Sequence, residues 1–134
     1  MDGLAQQREP CRVLIVERPD GREMVKWVLE RHGFSVDLAD DGEAGLLAAA
    51  AHDPAVVLIE IDVPKVDGWT LARAMRRLFG RRVALVAITS RHAPEDRQRS
   101  RAAGFDAHLV KPVPIVEIET TIRALVPSAG QCSA

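Results

Sequence analysis

The chain predicts an α/β fold: a doubly wound, five-stranded parallel sheet built from five β–α units. Three observations carry this. Short apolar runs rich in β-branched residues alternate with segments of helical spacing, the pattern of parallel strands covered by helices on both faces. Gly33, Gly80 and Gly104 each follow a helical segment, where a left-handed cap suits a residue without a Cβ. A length of 134 residues with 47% hydrophobic content is enough to bury the core of one domain.

The first unit is a strand over Arg12–Val16 and a helix over 22–31. The second pairs a strand over Ser35–Ala39 with a helix over 42–51, and the third a strand over 55–59 with a helix over 69–79. In the fourth, a strand over 83–89 precedes a helix over Pro94–Ala103. That helix is nearly devoid of large apolar residues, so it is expected to pack thinly through Ala93, Ala102 and Ala103 and to be mobile. The fifth unit joins a strand over Ala107–Val110 to a helix over Ile115–Leu125, whose inward stripe is Ile115, Ile118, Ile122 and Leu125. The expected domain is thus 12–126, between polar tails at 1–11 and 127–134, with no output domain.

A formal net charge of -1 argues against a protein that coats nucleic acid or an anionic membrane. The N-terminus lacks the apolar segment of a signal peptide, and no later run is long enough to cross a bilayer. A cytoplasmic protein is expected. Cys11 and Cys132 have no metal-site spacing and read as reduced thiols. No Gly-rich phosphate loop follows the first strand, which disfavours a nucleotide site.

Folds of this kind place their site at the carboxyl ends of the strands. The residues there are Glu17 and Arg18 after the first strand, Glu60 after the third, Thr89 and Ser90 after the fourth, and Lys111 and Pro112 after the fifth. Further markers are the loop Val63-Pro64-Lys65-Val66-Asp67-Gly68 and the stretches Val13-Leu14-Ile15-Val16, Asp41-Gly42-Glu43-Ala44 and Ala103-Gly104-Phe105-Asp106. In order and spacing this resembles the receiver domain of two-component response regulators, of the chemotaxis-regulator type, from about Arg12 to Leu125. The resemblance implies an acidic pair after the first strand and a phosphoacceptor aspartate after the third, together holding magnesium. The fourth-strand hydroxyl and the lysine would contact the phosphoryl group. Magnesium needs hard carboxylate oxygens, and charge developing on phosphoryl oxygens needs cations and donors aimed at it.

Thr89 and Lys111 match that pattern, and Glu17 keeps one acid of the pair. Arg18 stands where the resemblance implies the second acid, and Glu60 where it implies the phosphoacceptor. Two acids then face two bases. The pocket is expected to neutralise itself through a Glu60–Lys111 or Glu60–Arg18 pair and to have lost magnesium, since Arg18 removes a ligand and adds a repelling charge. The bland alternative is an abandoned site whose charges merely cancel.

The leading reading is a stand-alone pseudo-receiver: not an enzyme, without cofactor or metal, acting as a phosphorylation-independent protein-interaction module. The other reading is a phosphotransfer-competent receiver using Glu60, or Asp62 two residues on, with magnesium. The resemblance also implies a switch, with Thr89 as its hydroxyl and His108 at its aromatic position. A plain surface histidine is the favoured reading of His108, because the acceptor that would drive the switch is altered.

Charge is unevenly spread: nine arginines fall from Arg73 to Arg101 against Glu95 and Asp96 alone. A signalling protein docking on the fourth-helix, fifth-strand and fifth-helix face is the expected partner. Nucleic acid is disfavoured, because no recognition helix or aromatic platform accompanies the arginines. A monomer or weak homodimer is expected, since those arginines would repel across a two-fold axis. Trp27 and Trp69 both read as core or near-core helix residues.

Overall fold

A computed structural model describes residues 11–127. Its strands are β1 (Arg12–Val16), β2 (Ser35–Ala39), β3 (Val56–Ile59), β4 (Ala84–Thr89) and β5 (Ala107–Val110). Its helices are α1 (Glu23–Arg31), α2 (Gly42–His52), α3 (Gly68–Phe79), α4 (Pro94–Ala103) and α5 (Ile115–Leu125). All neighbouring strands run parallel, in the order β2-β1-β3-β4-β5. The order reverses direction at β1 and β3, which opens a crevice at their carboxyl ends.

Strand periodicity divides the core in two. Leu14, Val16, Val57, Ile59, Leu85 and Ala87 face the layer that includes Leu71, Ala72 and Met75 of α3. Val13, Ile15, Val56, Leu58, Ala84 and Val86 face the opposite layer, with Leu29 of α1 and Ile118 and Ile122 of α5. Successive side chains on a strand point to opposite faces, so the central strands must be apolar at every position.

Helix starts follow their caps. Asp41 and Asp67 accept the backbone N–H of Ala44 and Thr70 at 2.8 and 3.0 Å, so α2 and α3 begin immediately after them. The Thr70 hydroxyl adds a bond to the second Asp67 oxygen. Burial opposes ionisation of Asp67, but these bonds, with the Trp69 N–H and the Arg99 charge, outweigh it and hold its carboxyl below the usual value.

Three expectations need correction. The inward residue of α4 is Ser100 (1% exposed) beside Ala103, whereas Ala102 is exposed. Ser100 and Ala103 share a face at helical spacing, and Ala102 does not. Trp69 is buried, but Trp27 is 56% exposed. α1 turns Leu29 inward, and a residue two positions earlier lies about 200° around the helix; the Trp27 ring instead carries the Arg31 guanidinium at 4.9 Å. Cys11 belongs to the core and not to a tail: its side chain is buried, and its carbonyl accepts the Ser35 N–H. α4 does pack thinly, with Ser100 and Ala103 its buried residues, and its C-terminal end is tied to α3 through Trp69 and Arg76. Cys132 and the expected tails at 1–10 and 128–134 lie outside the described residues.

Arg76 pins the end of α3 to the start of β5. Its Nε donates to Gly104 O (2.9 Å), its Nη1 to Gly80 O and Val83 O (2.8 and 2.6 Å), and its Nη2 to Asp106 Oδ2 (2.6 Å). The same Asp106 oxygen accepts the Leu85 N–H. Gly104, at φ 107°, leaves room for the Arg76 stem, since a Cβ there would sit 2.6 Å from Arg76 Cγ. Arg76→Ala removes the donor from three carbonyls and leaves Asp106 with only the Leu85 N–H and the more distant Arg81. It is expected to lower stability by about 2 kcal/mol in urea unfolding, and Arg76→Lys should recover only part of this, because an ammonium cannot span the fork.

Candidate functional site

Glu17, Glu60 and Lys111 are each the first residue beyond a strand, and ladder bonds extend that far to fix them. Glu17 N–H donates to Ala39 O (3.1 Å), Glu60 N–H to Val16 O (2.9 Å) and Lys111 N–H to Thr89 O (2.9 Å). Their side chains meet in the crevice.

The Lys111 ammonium bridges the two acids. Its Nζ lies 2.6 Å from Glu17 Oε2 and 2.7 Å from Glu60 Oε1. The remaining oxygens take backbone donors: Glu17 Oε1 accepts Arg18 N–H at 2.9 Å, and Glu60 Oε2 accepts Asp62 N–H at 3.1 Å. Both glutamates are buried, at 8% and 9% exposure. Burial works against the charge on Lys111, but the hydrogen bonds and charges of Glu17 and Glu60 outweigh it and raise its pKa.

Arg18 is not part of this pairing. It opens the short 3-10 turn Pro19–Gly21 in an extended conformation, and its guanidinium reaches the rim to donate to Asp62 O at 3.4 Å. Of the two expected partners of Glu60, the structure therefore pairs it with Lys111. Asp62 is held from outside as well, its carboxylate taking Arg91 Nη2 at 2.8 Å and Arg91 Nε at 3.0 Å. Thr89 is fully buried, and its hydroxyl accepts Arg91 N–H at 3.3 Å. Thr89 and Glu60 share no hydrogen bond among the described residues.

His108 is half-buried and bonded at both ring nitrogens, which corrects the plain surface reading. Nδ1 lies 2.8 Å from Ser100 Oγ and Nε2 2.8 Å from Arg91 O, while Trp69 Nε1 donates to Ser100 Oγ at 3.0 Å. One arrangement satisfies every group. A carbonyl only accepts, so Nε2 carries the proton; Ser100 accepts from Trp69 and donates to Nδ1. The chain Trp69–Ser100–His108–Arg91 thereby ties α3, α4, β5 and the β4–α4 loop together, and Arg91 continues it to Asp62 at the pocket. Sequence reading missed Ser100, whose signal was its three-residue spacing from Ala103. It also missed Arg22, which donates to the Glu17 carbonyl at 3.0 Å and pairs with Asp40.

Residues 13–123 match the family "Response regulator receiver domain". The chain belongs to that family. Among curated relatives, this receiver is 29% identical over 116 residues to the transcriptional regulatory protein HprR of Escherichia coli, covering 84% of this chain and 50% of that protein. It is 31% identical over 118 residues to the response regulator MprA of Mycolicibacterium vanbaalenii, covering 87% and 51%. The chain thus spans about half the length of the curated relatives it matches. Among solved structures, a CheY-like receiver domain protein from Methanospirillum hungatei superposes with a TM-score of 0.84 at 23% identity, covering 92% of this chain and 98% of that one. The receiver domain of the sensor histidine kinase PA1611 from Pseudomonas aeruginosa, which carries a magnesium ion in its active-site cleft, superposes at 0.80 with 26% identity, covering 89% and 99%.

The magnesium that the family implies can be tested against this receiver's donors. All four carboxylate oxygens of Glu17 and Glu60 are engaged, two by one ammonium and two by backbone N–H groups. The Asp62 carbonyl at the same edge faces the Arg18 guanidinium. A divalent ion would have to displace both cations from oxygens they already satisfy, so this arrangement does not fit it. No helix among the described residues is long and apolar enough to cross a membrane.

Proposed function

We propose that the domain, a receiver of two-component signalling by its family, acts as an interaction module whose pocket is set by Glu60 and not by phosphate on an aspartate. The observation that carries this is the Lys111 bridge. Glu60 takes the ammonium with one oxygen and the Asp62 N–H with the other, so the position where an acceptor would await phosphate already holds a satisfied negative charge. Metal is not required for that state. A signalling protein would read it on the α4, β5 and α5 face, through the Arg91–His108 link from the pocket rim.

The test is exposure to acetyl phosphate with excess magnesium, followed by intact mass. The expected spectrum is unshifted; mass equal to one phosphate group, on Glu60 or on Asp62, would replace this reading with a phosphotransfer receiver. A pull-down comparing wild type with Glu60→Ala is expected to change the set of partners retained, and an identical set would show that Glu60 does not set the signalling state.

A further inference from the structure

The arginines of α3 and α4 form a surface that the pocket does not explain. From 66 to 110 every cationic side chain is arginine, with no lysine. Arg76, Arg81 and Arg91 have carboxylate partners. Arg73, Arg77, Arg82, Arg97, Arg99 and Arg101 are exposed, and none forms an ion pair among the described residues. Three of the six are partly occupied: Arg82 lies over Phe79, Arg97 donates to the His108 carbonyl, and Arg99 covers Trp69 at 3.7 Å. Arg73, Arg77 and Arg101 have no hydrogen-bond or ion-pair partner among the described residues.

Two pairs set the pattern. Arg73 and Arg77 are four residues apart on α3, and Arg97 and Arg101 are four apart on α4. Like charges at that spacing are neighbours on the helix surface and repel each other. The helices carrying them are fastened side by side by Trp69 to Ser100 and by Arg76 to Gly104. Beside Arg97 and Arg101, between α4 and β5, a cavity of about 140 Å³ opens over Phe105 and Ala107, enough for one side chain.

We infer that this face binds an acidic segment of a partner protein, whose carboxylates pair with the arginine forks of α3 and α4. Guanidinium is the group for such recognition, because its planar fork meets a carboxylate with two parallel hydrogen bonds. A nucleic acid would offer the same negative charge but also bases to stack. The aromatic rings of α3 are already covered: Trp69 is buried beneath Arg99 and Arg91, and Phe79 lies under Arg82. The surface is apart from the Glu60 pocket, so the inference holds or fails independently of how that pocket is set.

Fluorescence anisotropy of a labelled glutamate-rich peptide of about twenty residues tests it, with a DNA duplex of similar charge as competitor. The expected result is salt-sensitive peptide binding that falls about tenfold or more in Arg77→Glu/Arg101→Glu, consistent with loss of paired rim and fork contacts. Both sites are exposed and unpaired, so circular dichroism should show an unchanged fold. Arg77→Lys/Arg101→Lys should bind at an intermediate level, since charge is kept and the fork is lost. Absence of peptide binding, indifference to the glutamate variant, a lysine variant equal to wild type, or tighter retention of DNA than of peptide would each overturn the inference.

Discussion

Lys111→Met is expected to destabilise the domain by about 2–3 kcal/mol, read as a shift of the urea midpoint at unchanged slope. It leaves Glu17 and Glu60 side by side, buried, without the cation that bridges them. The cost falls below that of a fully enclosed pair because a third of the Lys111 side chain (33%) is exposed to solvent. Neutralising both acids in the same background, as Glu17→Gln/Glu60→Gln/Lys111→Met, should return most of the loss, since a buried ion cluster replaced by uncharged groups of similar shape is often near neutral. A triple variant no more stable than Lys111→Met would show that the lysine acts through its packing and not its charge.

The pH dependence has a definite sign. The partners of Lys111 raise its folded-state pKa above the ordinary 10.5. Its contribution is therefore complete below pH 10.5 and is lost as pH rises through the elevated folded value. Wild type should weaken in that alkaline window, and Lys111→Met should lack this part of the decline.

Gly42→Ala should cost about 3 kcal/mol, at or beyond the upper end of ordinary overpacking, measured as a drop in thermal midpoint. A Cβ on Gly42 would lie 2.1 Å from the Val66 carbonyl oxygen and 2.8 Å from Val66 Cβ, so backbone must move. The loop it meets is already constrained: Lys65 has φ 70°, Val66 N–H turns back onto Pro64 O at 2.9 Å, and Gly42 N–H holds that same carbonyl at 3.2 Å. Because this loop continues from Asp62, whose N–H holds Glu60, the variant should also disturb the pocket. Trp69 fluorescence, close by at the start of α3, should change with it. A Gly42→Ala protein of wild-type stability would mean that the loop can swing clear, and that its left-handed turn is not held by α2.

The fold was legible because its signal is local and repeated. Apolar strand runs, the α5 stripe and the glycines that adopt positive φ at 33, 80 and 104 each depend on a few neighbouring residues. Boundaries shifted where a side chain decided them, as when Asp67 started α3 at Gly68. Trp27 was misread, and Ser100 missed, for a different reason. Composition places large aromatics inside and small polar groups outside, whereas helical phase set Trp27 outside and gave Ser100 a buried partner in the Trp69 indole N–H.

The sequence by itself determined the five β–α units, the convergence of Glu17, Glu60 and Lys111 at one sheet edge, and the presence of glutamate and arginine where the family pattern implies aspartate and an acid. Charge counting went no further than two acids against two bases. Tertiary structure decided which charges meet: Lys111 takes both glutamates, Arg18 turns to the Asp62 carbonyl, and His108 faces inward to Ser100 and the Arg91 carbonyl. Formal charge is a property of each residue alone. Pairing depends on ångström-scale direction, which is set by where each strand stops and by the turn that follows it.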